Sequence, residues 1–439
     1  MDELFSGTPS LMAVKVALAH AAKGGQNRGL MFMDVKGAFL YGECRRKIYI
    51  ELPSQDPRHG DGGLVGMLRK AMYGTRDAPQ IWQQEVQKAM ESLGFTMSTL
   101  QPSVYYHREK DMVVVVHVDD FLCSGDVADL DWLHNSLKQK YDLKKNYLLK
   151  GDEFEVRYLN RVIRWKEEKF ELEGDEKHVN MLVKEWGMEQ CKEVDTPITK
   201  SCQEQVHLGE EMSEVEARRT RRSIARINYM AQDRPDLSVA ARILSQCMSR
   251  PREGVRACVK RVIRYLRRYP RCILEVTPTD AFDQLEVWTD CDWAGDVATR
   301  KSCSGGSLQL GGTTVQHWSK VQSNVALSSG EAELNSVVKG VSEAIGLKGL
   351  VKEVLNIDLS VRLNVDASAC RGILLRQGSG KVKHLTTKQL WVQGAIQSFG
   401  LEVRKVGREF NSADILTHPS SSDALAAGLQ AMGLRRARW

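Results

Sequence analysis

No apolar run in the 439-residue chain approaches the ~20 residues that a membrane-spanning helix requires. The opening MDELFSGTPS lacks the basic-then-apolar order of a secretion signal. Together these absences set the expectation of an intracellular protein without a membrane partner. The ten cysteines include no C-x-x-C pair, so neither a zinc site nor a disulfide framework is expected. Long disordered spans are not indicated either: 42% hydrophobic and 27% charged residues are ordinary for a globular chain with two or three cores. A formal charge of +6 is small for this length, and its distribution says more than its size.

Two basic clusters stand out, RRTRR (Arg218 to Arg222) and VKRVIRYLRRYPR (Val259 to Arg271). In the second, Lys260, Arg264, Arg267 and Arg271 recur at helical spacing, while Val259, Val262, Ile263 and Leu266 form an apolar face. Such a helix packs on one side and stays cationic on the other. The cationic side reads equally well as a solvated face and as one lying along a phosphate backbone.

LMAVKVALAHAAKG predicts a helix from Leu11 that stops at Gly24-Gly25, and GLMFMDVKGAFLYG a strand carrying Asp34 into a turn and short helix. KIYIELP, Lys47 to Pro53, reads as a strand. After Gly74 a helix is expected with Ile81, Trp82, Val86, Ala89, Met90 and Leu93 on one face and Gly94 at its end. An α/β stretch then runs to about Pro197, and Cys202 to Pro270 is charged and helical. A fresh domain starts near Ala281. It offers strand LEVWTD, a hairpin of SLQL and TTVQHWSK joined by Gly311-Gly312, a long helix from Glu331 to Leu355, strand VRLNVD, two helices, strand LEVRKV and a final helix NSADILT. That order suits a mixed five-stranded sheet. The tail from Ser420 reads as a loose helix.

VVVVHVDDFLCSG, Val113 to Gly125, sets Asp119 and Asp120 between apolar runs. A tight turn between strands accommodates such a pair through backbone hydrogen bonds. The sharper alternative is a divalent-metal site, which needs a further carboxylate from elsewhere. MDVKGAFLYGECRRKIYIELP, LRKAMYGTRDAPQIW and VVVVHVDDFLCSG, in this order and spacing, resemble the reverse transcriptase of copia-type LTR retrotransposons. RSIARINYMAQDRPDLSVAARILSQCMSRP resembles the segment that follows it in those polyproteins. WTDCDWAGDVATRKSCSGG, ALSSGEAELNSV, the Lys383-His384 pair and NSADILTHP resemble their ribonuclease H domain. The resemblance covers nearly the whole chain.

It implies an α+β chain: a reverse transcriptase palm with partial fingers over 1–197, a helical thumb- or connection-like region over 198–279, a ribonuclease H-like α/β domain over 280–420 and a tail over 421–439. It also implies a polymerase that copies RNA into DNA and a nuclease that degrades the template, each using two Mg²⁺, with Mn²⁺ as the alternative. The partners are an RNA template, a DNA primer, dNTPs and RNA/DNA hybrid, in the cytoplasm, within a virus-like particle, or in the nucleus. Asp34 and Asp119 are the implied polymerase metal ligands, with Asp120 beside them. Neighbouring residues of an extended chain point to opposite sides, so Asp119 and Asp120 are not expected to ligate equally. Phe39 matches the residue under the sugar, and Tyr73, Gly74 and Pro79 match the loop and helix start against template and nucleotide. For the nuclease the implied acidic set is Asp290, Glu333, Asp366 and Asp414. Asp292 is a rival to Asp290. Glu331 is a rival to Glu333, but Ser328 and Glu331 form an S-x-x-E capping pattern that gives Glu331 a structural task. Lys260, Arg264, Arg267, Lys383 and His384 are the expected contacts to nucleic-acid backbone.

Three departures qualify the resemblance. His117 stands where the family has Tyr, no His lies near Arg404, and only about thirty residues precede Asp34, so the basic fingers segment has no counterpart. A relic that binds nucleic acid without polymerising, or a chain retaining only the nuclease, therefore stays open beside the complete enzyme.

Overall fold

A computed structural model describes residues 7–24, 27–152, 154–296, 298–380 and 383–438. Its contacts part chiefly between Lys150 and Gly151 into two compact units, with Ala22–Gly24 counted in the second and Lys352–Asn356 in the first. The boundary expected at 197 falls inside the second.

The first unit is built on a six-stranded antiparallel sheet in the order Thr96–Met97, Val104–His107, Met112–His117, Asp120–Asp126, Arg28–Val35, Leu143–Leu149. The valine run shows no alternation because both faces of the sheet are covered. On one face Met31, Met33, Val114 and Cys123 pack against Trp82, Val86 and Met90 of helix Ala78–Ser92 and Leu130, Leu133 and Leu137 of helix Val127–Lys138. On the other, buried His20 of helix Leu11–Ala22 meets Ser124, Nδ1 to Oγ 2.7 Å. Helix Val127–Lys138 starts where the Asp126 carboxylate accepts from the Ala128 N–H at 3.0 Å. Of KIYIELP only Tyr49–Glu51 is a strand, paired with Val65–Met67.

The second unit contains two five-stranded sheets. The first joins Glu155–Tyr158, Arg161–Lys166, Lys169–Gly174, Arg271–Val276 and Leu434–Ala437, antiparallel throughout. Its last strand corrects the expected loose tail. Ser422–Ala431 is a helix with Leu425 and Leu429 buried, and the chain then enters the sheet. Arg435 there donates to Glu171 at 2.6 Å and to Glu275 at 2.7 Å, a cross-strand pairing that composition does not reveal. Between the sheets in sequence come helices Lys177–Trp186, Lys200–Gln205, Glu214–Met230, Ser238–Ser245 and Glu253–Arg268.

The second sheet is mixed, in the order Thr313–Val321, Cys303–Leu310, Gln284–Asp292, Ser360–Val365, Glu402–Lys405; the first two pairings are antiparallel and the last two parallel. Gly311 and Gly312, at φ +54° and +84°, close its hairpin. Helix Ser329–Leu355 runs so close to this sheet that a Cβ on Gly340 would stand 2.6 Å from Thr289 Cγ2. NSADILT is not the expected helix: it forms a single 3₁₀ turn, Asp414–Leu416. Asn411 ties the segment down instead, donating to Thr289 O at 3.0 Å, and Pro419 disfavours helical continuation. The chain is thus α+β, and no described helix is long and apolar enough to cross a membrane.

Candidate active sites

In the first unit Asp34 and Asp120 are directly paired across adjacent strands, Asp34 exposed and Asp120 half-buried. Asp119 lies in the two-residue turn before Asp120, and its carbonyl accepts from the Val35 N–H at 3.0 Å. Burial, then the charges of Asp119 and Asp34, push the Asp120 carboxyl above the usual range. Among the described residues the three do not converge as a single cation-sized group.

The turn is strained. Val118 sits at φ +56°, a region that β-branched residues avoid, and such strain is typically held where a side chain must be aimed. The Trp82 indole N–H donates to Val118 O at 2.6 Å and pins the turn from the helix side. Tyr141 packs edge-on against Trp82 at 5.4 Å. Nothing in the sequence marks Val118 as a positive-φ position, and Trp82 reads there only as a core residue. Phe39 is half-buried against the core and meets Tyr73 at a ring separation of 4.6 Å. Tyr73 is 51% exposed, Gly74 adopts φ +93° with open space around it, and Pro79 occupies the first turn of its helix.

The second unit gathers its carboxylates more tightly. Asp290 lies in strand Gln284–Asp292, Glu333 on the long helix and Asp366 just past strand Ser360–Val365; donor oxygens of these three lie within 4.8 Å of one another. Asp290 is paired with Gly305, and its Oδ2 accepts from Thr417 Oγ1 at 2.8 Å. Ser336 Oγ, one helical turn beyond Glu333, donates to Asp290 O at 2.8 Å and so registers helix against strand. Burial, with the charges of Asp366 and Asp414 adding to it, pushes Asp290 up to about 7. Burial, then Asp290 and Asp366, pushes Glu333 up to about 9.

Glu333 is 8% exposed and has no hydrogen bond or ion pair among the described residues. A carboxylate so buried is costly to hold charged, and the Arg408 and Lys405 charges offset that cost without overcoming it. The donor set is all carboxylate oxygen, which fits a hard divalent cation such as Mg²⁺. Asp414 approaches Asp290 from the 3₁₀ turn, in a second group. Its donor oxygen lies within 4.8 Å of donors of Asp290 and His418, and Arg408 Nε approaches Asp414 Oδ1 at 3.4 Å. His418, four residues after Asp414, is a member that the sequence reading missed, although the spacing Asp414-x-x-x-His418 is legible.

Asp292 is half-buried at the end of the same strand and belongs to neither cation-sized group. Glu331 acts at the helix start: its N–H donates to Ser328 Oγ at 3.2 Å, and its carboxylate accepts from the Leu327 N–H at 2.8 Å. His384 Nε2 lies 3.0 Å from Glu331 Oε2, and Lys383 is exposed. Of the basic helix, Arg264 donates to Lys192 O at 2.5 Å and Arg267 to Cys191 O at 3.3 Å, clasping the incoming chain. Lys260 is exposed and lines a cavity of about 150 Å³ with Trp186, Arg219 and Arg256.

Residues 1–200 match the family described as "Reverse transcriptase (RNA-dependent DNA polymerase)". The retrovirus-related Pol polyprotein from transposon TNT 1-94 of Nicotiana tabacum is 27% identical over 95% of this chain and 31% of its own length. That from transposon RE1 of Arabidopsis thaliana is 28% identical over 99% of this chain and 29% of its own. The chain therefore spans under a third of the length of these curated relatives. A foamy viral protease-reverse transcriptase, solved with an RNA/DNA hybrid, aligns with 89% of this chain and 45% of its own at 12% identity and a TM-score of 0.48, a likeness that adds nothing to the assignment. The matched family and the relatives aligned over nearly the whole sequence lead to one conclusion: residues 1–200 belong to the reverse transcriptase family, and the chain as a whole is similar to the Pol polyproteins of copia-type retrotransposons.

Proposed function

We propose that the first unit extends a DNA primer on an RNA template with dNTPs, and that the second cleaves the RNA strand of the resulting hybrid. The observation that carries the reading is that Asp290 stands in two cation-sized groups at once, one with Glu333 and Asp366 and the other with Asp414 and His418, so that carboxylates from four separate segments meet around Asp290. Two Mg²⁺ per centre would be held by Asp34 and Asp119 in the first unit and by Asp290, Glu333, Asp366 and Asp414 in the second. Bound there, Mg²⁺ supplies positive charge against the attacking and leaving oxygens of an in-line displacement.

The remaining work falls to the chain. The Val118 turn, pinned by Trp82, holds the Asp119 backbone against Val35, the residue after Asp34. Phe39, backed by Tyr73, lies under the incoming sugar and leaves no room for a 2′-hydroxyl. Thr417 orients Asp290, and Ser336 fixes the helix that bears Glu333. Lys260 and Lys383 are exposed and can meet phosphate, whereas His384 is engaged with the Glu331 carboxylate.

Primer extension and hybrid cleavage, measured on one preparation with Mg²⁺, test the reading. Asp119→Asn should abolish extension and spare cleavage, and Glu333→Gln should do the reverse. A chain that performs neither reaction refutes it. Cleavage without extension would favour a nuclease alone, the second reading, which draws support from the looser grouping of the three carboxylates in the first unit.

A further inference from the structure

The stretch Asp414-Ile-Leu-Thr-His418 places an imidazole four residues beyond a carboxylate, just past the 3₁₀ turn Asp414–Leu416. His418 Nε2 stands 3.7 Å from Asp414 Oδ2. That is too long for a hydrogen bond, yet inside the span of two ligands on one cation with arms of about 2.1 Å. Donor atoms of Asp290, Asp414 and His418 lie within 4.8 Å of one another, in a group that shares only Asp290 with the Glu333 and Asp366 group.

The ring is also oriented. His418 Nδ1 is 3.0 Å from Thr417 Oγ1, which stands 2.8 Å from both Asp290 Oδ2 and the Asp414 carbonyl oxygen. A hydroxyl has one hydrogen, and given to either of those acceptors it leaves Oγ1 to accept from the Nδ1–H. The Nε2 lone pair is then the one on the Asp414 side. Metal-ligating histidines are held in this way, one nitrogen on the cation and the other N–H on an oxygen. Arg408 approaches the opposite oxygen of Asp414, and its side chain is 76% exposed, so it can swing aside without leaving a buried charge.

We propose that Asp290, Asp414 and His418 form a mixed oxygen–nitrogen cation position. His418 Nε2 is its third protein ligand, and the position favours a first-row transition cation over Mg²⁺. The proposal rests on the ribonuclease reading above and goes beyond it in making one of the two positions chemically different from the other. Imidazole binds transition cations well and Mg²⁺ poorly, because Mg²⁺ takes oxygen ligands and sheds water reluctantly.

Mn²⁺ alone, added to the full chain without an affinity tag, is the probe. Electron spin-echo spectroscopy reads ¹⁴N coupling from a coordinated imidazole, and titration reads affinity. The expected result is ¹⁴N coupling in the unaltered chain that disappears in His418→Gln, with Mn²⁺ affinity at this position falling at least about tenfold. Mg²⁺ affinity should move far less. Absence of coupling in the unaltered chain, or its persistence in His418→Gln, overturns the proposal; the unaltered chain alone decides if the variant does not fold. Asp290→Asn separates the two readings. Binding that depends on Asp290 but shows no nitrogen coupling removes His418 and leaves the ribonuclease centre standing, whereas absence of any Asp290-dependent binding removes both.

Discussion

Gly305 lies opposite Asp290 on the neighbouring strand, and the Asp414-bearing segment presses against it. In Gly305→Ala the new Cβ would stand 2.7 Å from Thr417 Cγ2, 2.8 Å from Leu416 Cβ and 2.9 Å from Ala413 O. Carbon atoms settle at about 3.5–4.0 Å, so the segment must recede by about 0.7 Å or more. No rotamer change relieves this, because Leu416 Cβ and Ala413 O move only with the backbone. Overpacking of this kind costs about 1–3 kcal/mol, which in a unit of this size lowers the melting temperature by roughly 2–4 °C per kcal/mol. The 2.8 Å bond from Thr417 to Asp290 would be lost, and Asp414 would leave the group. A displacement approaching 1 Å reduces turnover by about 100-fold. Hybrid cleavage should fall by that order while primer extension on the same preparation stays close to the unaltered rate. A variant that melts normally and cleaves within about threefold of the original would refute the claim that Gly305 sets the approach of Asp414.

Val118→Gly should be less destabilising than Val118→Ala, because both lose the side chain packed against the core but only glycine adopts positive φ without strain; the reverse order in urea unfolding would mean that the turn stores none. Asp236 is buried with Arg234 and Tyr265, at 2.7 Å from Arg234 Nη2 and 2.7 Å from the Tyr265 hydroxyl. Burial acts to raise its carboxyl, but the Arg234 charge and these hydrogen bonds prevail and hold it below the usual range. Its contribution is therefore complete above about pH 4 and declines as pH falls through the lower folded value. Asp236→Asn should cost about 3–5 kcal/mol at neutral pH and flatten the acid limb of a stability-against-pH curve; an unchanged limb would assign acid unfolding to other groups. Adding Mg²⁺ should raise the melting temperature of the second unit by relieving the crowding of Asp290, Glu333 and Asp366, and Asp290→Asn should raise the cation-free value while removing the Mg²⁺ effect, as calorimetry would read. Phe39→Ala should increase ribonucleotide incorporation relative to deoxyribonucleotide by tenfold or more in primer extension, and unchanged discrimination would move the sugar gate elsewhere.

Local pattern carried much of the fold. The helix Ala78–Ser92 follows from its apolar spacing and the glycine after it, the hairpin at Gly311-Gly312 from its turn residues, and the long helix from its capping serine. Two elements escaped for opposite reasons. Leu434–Ala437 reads as a charged tail because the glutamates that neutralise Arg435 come from strands more than 150 residues away in sequence. NSADILT has helical spacing, but its backbone is held by Asn411 on a distant strand.

The sequence by itself determined which acidic residues were available, and in what order, because residue type and spacing survive without coordinates. Only the tertiary structure decided which of them meet. Asp290, Glu333 and Asp366 come together because a strand pairing, a helix seated through its Gly340 against Thr289 and a parallel crossover converge at one end of a sheet. It also turned Arg264 and Arg267 from an expected phosphate-facing row into clasps on the residue 191–192 backbone, and brought His418 beside Asp290 through Thr417. Charge and spacing are local properties, whereas a site is a set of distances between residues far apart in sequence, and those distances are set by packing.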